Sequence, residues 1–310
     1  MTIGRHIKTF AGLPVKKVRA TMDPPEDPGA YAWRLTTNYD GGPSRFKKRF
    51  EALVNAAWAG EVKAIVVGDW GDVNDDGPPI TKFVDAADKL TGLRALFLGE
   101  MTEEESEISW INQTDVAPLL AAYPRLEVLR VRGGEGPEIT PLRHESLREL
   151  AFETGGLPVE VVRGIDESDL PALRHLELWL GTENYGGDVT VDDLSVVLSG
   201  ARWPQLSYLG LRDSEIADQV ADALAGSPVL ARLSTLDLSL GMLSDVGAAA
   251  LLAGQPLTHL RRLDLHHHFL SPAMMDRLRA ELEAAGVELD LSKAQGSDTD
   301  PDDRFISVSE

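Results

Sequence analysis

Leucines recur along the chain in the pattern L-x-x-L-x-L, in which the second and third positions lie two residues apart. Residues two apart on a β-strand point to the same side, so each motif predicts a short strand with one apolar side. The pattern returns about every 28 residues, which indicates a repeat protein. Full or conservatively varied copies have their middle position at Ile65, Leu96, Leu129, Leu150, Leu176, Leu209, Leu236, Leu263 and Leu289.

The segments between these motifs predict helices. Ser244 offers a capping hydroxyl at the start of an apolar stretch that ends at Gly254. Ser271-Pro272 places a second capping hydroxyl before a proline at the first helical position. A short strand followed by a helix in each unit predicts an α/β fold in which stacked units share one continuous core.

The residues from Leu233 to Leu252, with Leu236, Leu238 and Leu243 between them, form the best copy of the repeat. They resemble the leucine-rich-repeat superfamily, in particular its ribonuclease-inhibitor-like class of the short, cytoplasmic bacterial type. The resemblance implies a horseshoe-shaped solenoid with parallel strands on the concave side and helices on the convex side. It also implies recognition of a protein partner, the usual task of the family. The family's asparagine, three places after the last leucine, is replaced by residues such as glycine, whose backbone freedom we expect to satisfy the turn.

We therefore predict one elongated solenoid of about nine strand units at residues 62–292. Residues 1–61 contain several prolines and no clear repeat, and we interpret them as an N-terminal cap region with a first helix. Residues 293–310 are acidic and poor in apolar side chains, which predicts a flexible tail.

Composition narrows the class of partner. The 310 residues include 30 Lys+Arg against 50 Asp+Glu, a net charge of −20, and no cysteine. This acidity argues against a nucleic-acid partner, and the lack of cysteine excludes disulfides and fits a reducing compartment. The N-terminus lacks the apolar stretch of a secretion signal, and no run is long enough for a membrane span, so we expect a cytoplasmic protein with no membrane partner.

Side chains that flank the inward leucines should face the concave side of the strands. Trp179, Tyr208 and Arg212 are expected to be exposed on adjacent strands, and these residue types dominate protein-interface hot spots. Towards the C-terminus this side becomes acidic and favours a basic partner. The alternative is an ordinary polar surface with cross-strand pairs. The candidate partner-binding residues are Phe97, Arg130, Arg132, His175, Glu177, Trp179, Tyr208, Arg212, Asp237, Asp264 and His266.

No catalytic sequence motif is present, and we predict a non-enzymatic interaction scaffold that needs no cofactor and whose oligomeric state is left open. The run His266-His267-His268 offers one alternative. Alternate residues on a strand share a side, so Asp264, His266 and His268 are candidate ligands for zinc or nickel. The alternative function is thus a metal-dependent regulator or enzyme.

Overall fold

The computed structural model describes residues 3–37 and 42–309. The chain divides into two compact units, one built mainly from residues up to Glu153 and the other mainly from Thr154 to Ser309. The short segment Glu167–Ala172 belongs to the first unit. Each unit has the α/β repeat architecture that the sequence predicts, with a sheet of mostly parallel strands and helices packed against one side of it.

The strands of the first unit follow one another in chain order across its sheet. The first pair is an antiparallel hairpin and the later pairs are parallel. Its strands are β1 (Thr9–Phe10), β2 (Leu13–Lys17), β3 (Ala32–Leu35), β4 (Ala64–Val67), β5 (Ala95–Leu98), β6 (Val128–Arg132) and β7 (Glu149–Glu153). Its helices are α1 (Gly42–Val54), α2 (Ile80–Asp85) and α3 (Ala117–Ala122).

The second unit has parallel strands, again in chain order. They are β8 (His175–Gly181), β9 (Tyr208–Ser214), β10 (Thr235–Asp237), β11 (Arg262–Asp264) and β12 (Glu288–Asp290). The helices are α4 (Val159–Glu167), α5 (Ser195–Ser199), α6 (Ala217–Ala225), α7 (Asp245–Ala253) and α8 (Pro272–Leu282). Within residues 3–37 and 42–309, no helix is both long and apolar enough to cross a bilayer.

The repeated leucines are register partners on neighbouring strands, as the repeat requires. In the second unit the ladder has no solvent exposure until the last strand, where Leu289 is half-buried. Its members are Leu176, Leu209, Leu236, Leu263 and Leu289. In the first unit the ladder of Ile65, Leu96, Leu129 and Leu150 begins one strand earlier, at Trp33. The parallel sheet therefore extends into the region that the sequence analysis assigns to the cap.

The expected glycine forms the turn after β8, but the turns after β9, β10 and β11 are made differently. Gly181 has a φ of +71°, which fits the expectation. In later repeats the left-handed residue comes one place earlier: Asp213 has φ +50°, Leu240 +71° and His267 +58°. Gly241 is needed for space, because a Cβ there would lie 2.7 Å from the carbonyl oxygen of Ser214.

The segment that the sequence predicts as a flexible tail packs against the second unit over its last residues. Ile306 and Val308 are buried. The Ser307 N–H donates to the Leu240 carbonyl at 2.7 Å, and the Val308 N–H donates to Asp213 Oδ1 at 3.0 Å. The tail thus contacts the end of β9 and the turn after β10, and its two apolar side chains are buried there.

Candidate functional site

The side of each sheet that faces away from the helices, which we call the open face, carries alternate residues of every strand. In the second unit these residues form rows of register partners that run across the strands. The first row consists of His175, Tyr208, Thr235, Arg262 and Glu288. The second row consists of Glu177, Gly210, Asp237, Asp264 and Asp290.

Two aromatic rings of the first row are stacked. The rings of His175 and Tyr208 lie 3.7 Å apart at an angle of 4°. Gly210 makes room for this arrangement, because a Cβ there would lie 3.1 Å from the Tyr208 side chain. The Tyr208 hydroxyl donates to Asp237 Oδ2 at 2.9 Å. Burial, reinforced by the nearby Glu177 and Asp237 carboxylates, raises the pKa of Tyr208, so the phenol stays protonated.

Arg212 is the centre of an ion network on β8 to β10. Its guanidinium donates to Glu177 Oε1 at 2.7 Å, lies 3.4 Å from Asp237 Oδ2 and sits 5.2 Å from the centre of the Trp179 ring. Burial alone would lower the pKa of Arg212, but these two carboxylates raise it above its ordinary value. The Trp179 Nε1–H also donates to Glu177 at 2.8 Å. Trp179 is only 6% exposed, which corrects the expectation of an exposed tryptophan.

Three aspartates of the second row end their strands. Asp237, Asp264 and Asp290 are the last residues of β10, β11 and β12. In each of them Oδ1 accepts the backbone N–H of the residue two places further on, at 3.0–3.1 Å. This Asx-type bond replaces a ladder bond where the chain turns. These aspartates therefore have a structural role, and one oxygen of each is already used.

Negative charge on the open face of the second unit exceeds positive charge. The described strands β8–β12 place two arginines on this face, Arg212 and Arg262. They face five carboxylates, those of Glu177, Asp237, Asp264, Glu288 and Asp290. Arg262 bonds to Glu288 and to Asp264 (2.8 Å), and it lies 3.5 Å from Asp290. Glu288 and Asp290 are the most accessible of the five, with 64% and 34% of the side chain exposed, so the carboxylates that a partner can reach lie on β12.

The predicted metal ligands are only partly brought together. Asp264, His266 and Asp290 each offer one ligand atom, and these atoms lie within 4.8 Å of one another. His268 is not among them, because the left-handed residue His267 ends the alternation of the strand. His268 is fully buried, with one ring nitrogen accepting from the Leu270 N–H and the other donating to the Leu291 carbonyl, both at 3.1 Å. The proposed ligand set Asp264/His266/His268 is thus incorrect.

Arg262 and His266 already bond to the carboxylate at the centre of this group. His266 Nδ1–H donates to Asp264 Oδ1 at 2.7 Å, and Arg262 donates to Asp264 Oδ2. Burial alone would raise the pKa of Asp264, but these hydrogen bonds outweigh it and hold the pKa below its ordinary value. A metal ion would have to displace these donors.

On the open face of the first unit, the chain's own N-terminal segment covers much of the surface. Residues 3–13, which we call the arm, place Phe10 against Phe97 with ring centres 5.8 Å apart. Ile7 and Leu13 pack against the same cluster. Phe97 is only 2% exposed, so it lies under the arm rather than on an accessible surface. The apolar residues under the arm are Ala32, Ala64, Val66, Ala95 and Phe97.

The predicted arginines of the first unit are paired. Arg130 donates to Glu149 at 2.6 Å and to Glu153 at 3.0 Å, and it keeps a fifth of its side chain exposed. Arg132 is buried, donates to Glu153 at 2.7 Å and lies over the Phe97 ring at 5.1 Å. Of these two, Arg130 alone is accessible to a partner in the described structure.

A buried ion pair that the repeat pattern does not predict lies beside the arm. Arg34 on β3 pairs with Glu100, and both side chains are buried. Arg34 also donates to His6 Nδ1 at 2.8 Å, while Glu100 accepts the Ile7 N–H at 2.9 Å. Burial lowers the pKa of Arg34 to about 10. This pair anchors the arm, and its only signal in the sequence is an arginine at an open-face position of a strand that lies before the predicted repeats.

Several solved structures are similar to this chain, three of them as follows. A protein from Bacteroides fragilis is 30% identical, with a TM-score of 0.80, over 89% of this chain and 77% of that chain. A TLR13–ssRNA13 complex is 16% identical (TM-score 0.45) over 85% of this chain and 33% of that chain. An internalin, inlF, from Listeria monocytogenes is 13% identical (TM-score 0.39) over 89% and 78%. No protein-family model and no curated protein matches the chain.

The class of protein follows from the repeat and the sheet taken together. The motif L-x-x-L-x-L supplies one strand for each repeat, and its middle positions are register partners across parallel strands. Helices or loops join these strands on the other side of the sheet. These are the defining features of a solenoid whose units share one core. The chain has the fold of a leucine-rich-repeat solenoid, and the protein from Bacteroides fragilis is similar to it in structure.

Proposed function

We propose that this chain is a non-enzymatic interaction scaffold that binds a basic segment of a protein partner on the open face of its second unit. The observation that carries the proposal is the charge of that face, on which two arginines meet five carboxylates. Of these carboxylates, Glu288 and Asp290 are the most accessible, and they share the single guanidinium of Arg262. Lysine or arginine side chains of a partner would neutralise them. The net charge of −20 favours a protein over a nucleic acid as the partner.

The rest of the open face supports binding rather than chemistry. His175, Tyr208, Arg212 and Glu177 bond to or stack on one another, which fixes their side chains before a partner arrives. A preorganised surface loses little side-chain entropy on association. The half-buried rings of His175 and Tyr208 offer apolar area on the same face, on β8 and β9. The lack of cysteine continues to favour a reducing, cytoplasmic compartment.

A comparison of captured proteins tests the proposal. The full chain and the variant Glu288→Lys/Asp290→Lys are immobilised and exposed to lysate of the source cells, and the captured proteins are quantified by mass spectrometry. The matched control is Glu281→Lys/Glu283→Lys, which reverses two exposed carboxylates at the end of α8, away from the open face. We expect a basic partner that the wild type and the control retain and that the open-face variant loses. Identical capture by all three proteins would overturn the proposal.

A metal-dependent regulator or enzyme is a second candidate function, favoured only by the closeness of Asp264, His266 and Asp290. Zinc or nickel titrated into the full chain in a calorimeter tests it. Binding that the variant His266→Ala abolishes would support this function. If neither metal binds, or if His266→Ala binds as well as the wild type, the metal function is excluded.

A further inference from the structure

Helix α7 has an unusual composition for a helix at a protein surface. After Asp245 it contains no charged or hydrogen-bonding side chain and reads Val-Gly-Ala-Ala-Ala-Leu-Leu-Ala. Gly247, Ala248 and Leu251 are buried and form its inner side. Val246 on the outer side is 73% exposed, more than any other large apolar side chain within residues 3–37 and 42–309. A helix that is apolar all round is normally covered on both sides.

The neighbouring helix α6 is polar on its outer side. This side carries two exposed residues, Gln219 and Asp222, and the half-buried Asp218. Between the two helices lies a groove of about 690 Å³, whose apolar part is formed chiefly by Ala223, Met242, Val246, Ala250 and Pro301. The groove therefore joins an apolar floor to an acidic rim.

The charges around this groove indicate the kind of partner. Glu215, Asp218 and Asp222 line it against the single guanidinium of Arg304. Asp218 bonds to backbone N–H groups of the turn before α7 and of its first turn, at 2.8 and 3.1 Å, while Asp222 is exposed at the rim. A partner with aliphatic side chains on one side and lysine or arginine beside them matches both features.

We propose that the groove between α6 and α7 binds an amphipathic helix with an aliphatic stripe flanked by basic residues. Val246 and Ala250 are one turn apart on α7, as are Asp218 and Asp222 on α6, so both helices present ridges that a third helix can pack against. The aliphatic stripe covers Val246 and Met242, and its basic flank meets Asp222. This surface is separate from the open face and does not depend on the function proposed for it.

Fluorescence anisotropy with a defined probe tests the inference. The probe is a fluorescein-labelled, 14-residue helical peptide with leucine on one side and lysine on the other, and a second peptide carries glutamate in place of lysine. The variants Val246→Asn and Asp222→Asn remove the apolar and the charged contact. Matched controls are Ala280→Asn and Glu283→Gln, at exposed positions near the end of α8. Because all four side chains are exposed, the fold should be kept, and circular dichroism checks this.

We expect the lysine peptide to bind more tightly than the glutamate peptide. Val246→Asn should weaken binding of the lysine peptide about tenfold, as expected for loss of one buried valine side chain. Asp222→Asn should weaken binding less, with an effect that disappears at high salt, and the controls should match the wild type. Equal affinity of Val246→Asn and the wild type would overturn the proposal. A wild-type dimer in sedimentation that Val246→Asn dissolves would also overturn it, because the groove would then belong to a second copy.

Discussion

The His175 imidazole lies flat on the Tyr208 ring, 3.7 Å away, on the neighbouring strand of the second unit. The stack depends on Gly210, the second-row residue of β9, where no side chain competes for the space beside the tyrosine. It also directs the Tyr208 hydroxyl to Asp237 on the next strand. One aromatic pair thus links three strands of the open face and fixes the surface to which we assign binding.

The variant Tyr208→Phe tests how the hydroxyl contributes to this arrangement. It keeps the ring and the stack but removes the hydrogen bond to Asp237, so we expect a loss of about 1 kcal/mol in the free energy of unfolding. Tyr208→Ala should cost about 2–4 kcal/mol more, because it also removes the ring. Urea denaturation measures both. An equal loss for the two variants would show that the stack contributes nothing.

Arg212→Met removes the central cation of the same face. It leaves Glu177 and Asp237 with less compensation at positions that are 2% and 6% exposed, so we expect a loss of about 3–5 kcal/mol in unfolding free energy. Adding Glu177→Gln to this variant should restore part of the loss, because one uncompensated charge is then removed. Urea denaturation of the single and double variants shows which of them has the higher free energy of unfolding. A double variant less stable than Arg212→Met would contradict this expectation.

Phe10→Ala tests the arm of the first unit. Phe10 is buried against Phe97, so truncation should cost about 3–5 kcal/mol, typical of a buried phenylalanine. Loosening the arm should also expose the apolar residues beneath it, and binding of the dye ANS should increase. Thr9→Ala, at an exposed position of the same strand, is the matched control and should change neither property. Unchanged dye binding by Phe10→Ala would show that the arm stays in place without this contact.

The buried carboxyl of Asp213 gives a pH-dependent prediction. Burial raises the pKa of Asp213 well above its ordinary value. The pKa of Asp213 is higher in the folded state than in the unfolded state. The carboxyl therefore makes its full contribution to stability at pH values below its unfolded-state pKa. That contribution is lost as the pH rises through the folded-state value. Asp213→Asn keeps an acceptor for the Val308 N–H and cannot ionise.

Thermal unfolding of Asp213→Asn and the wild type between pH 4 and pH 8 measures the effect. We expect the variant to be the more stable protein at pH 8, with a difference in Tm that shrinks towards pH 4. Each kcal/mol of difference in unfolding free energy should correspond to a difference of roughly 2–4 °C in Tm for a domain of this size. A difference in Tm that is constant across the range would contradict the raised pKa.

The fold could be predicted from the sequence because its signal is local and repeated. Each L-x-x-L-x-L fixes which side of a strand is apolar, and the inward residues Leu176 and Leu209 have no exposure. The same alternation places His175, Glu177 and Trp179 on the open face. It does not predict burial, however. Trp179 is covered because Arg212 lies over its ring, a contact between strands that spacing alone does not specify.

Other parts of the site depend on contacts that are distant in sequence. Phe97 is covered by an arm about ninety residues earlier in the chain, in a segment without a repeat. His268 leaves the open face because the residue before it adopts a left-handed conformation, which a histidine seldom does. The recurring aspartate at the end of β10, β11 and β12 is visible in the sequence. Its bond to the backbone N–H two residues later depends on the turn that follows each strand, and the leucine pattern does not predict that turn.

Photo-crosslinking in the source cells tests the central claim most directly. The photoreactive residue p-benzoylphenylalanine replaces Ser292, which is exposed two residues after Asp290 and leaves both carboxylates in place, or in a matched control Arg163 on α4, which is 61% exposed. We predict that irradiation joins a basic protein to the chain from position 292 and not from position 163. A crosslinked partner from position 163 alone, or none from position 292, would contradict the assignment of binding to the open face of the second unit.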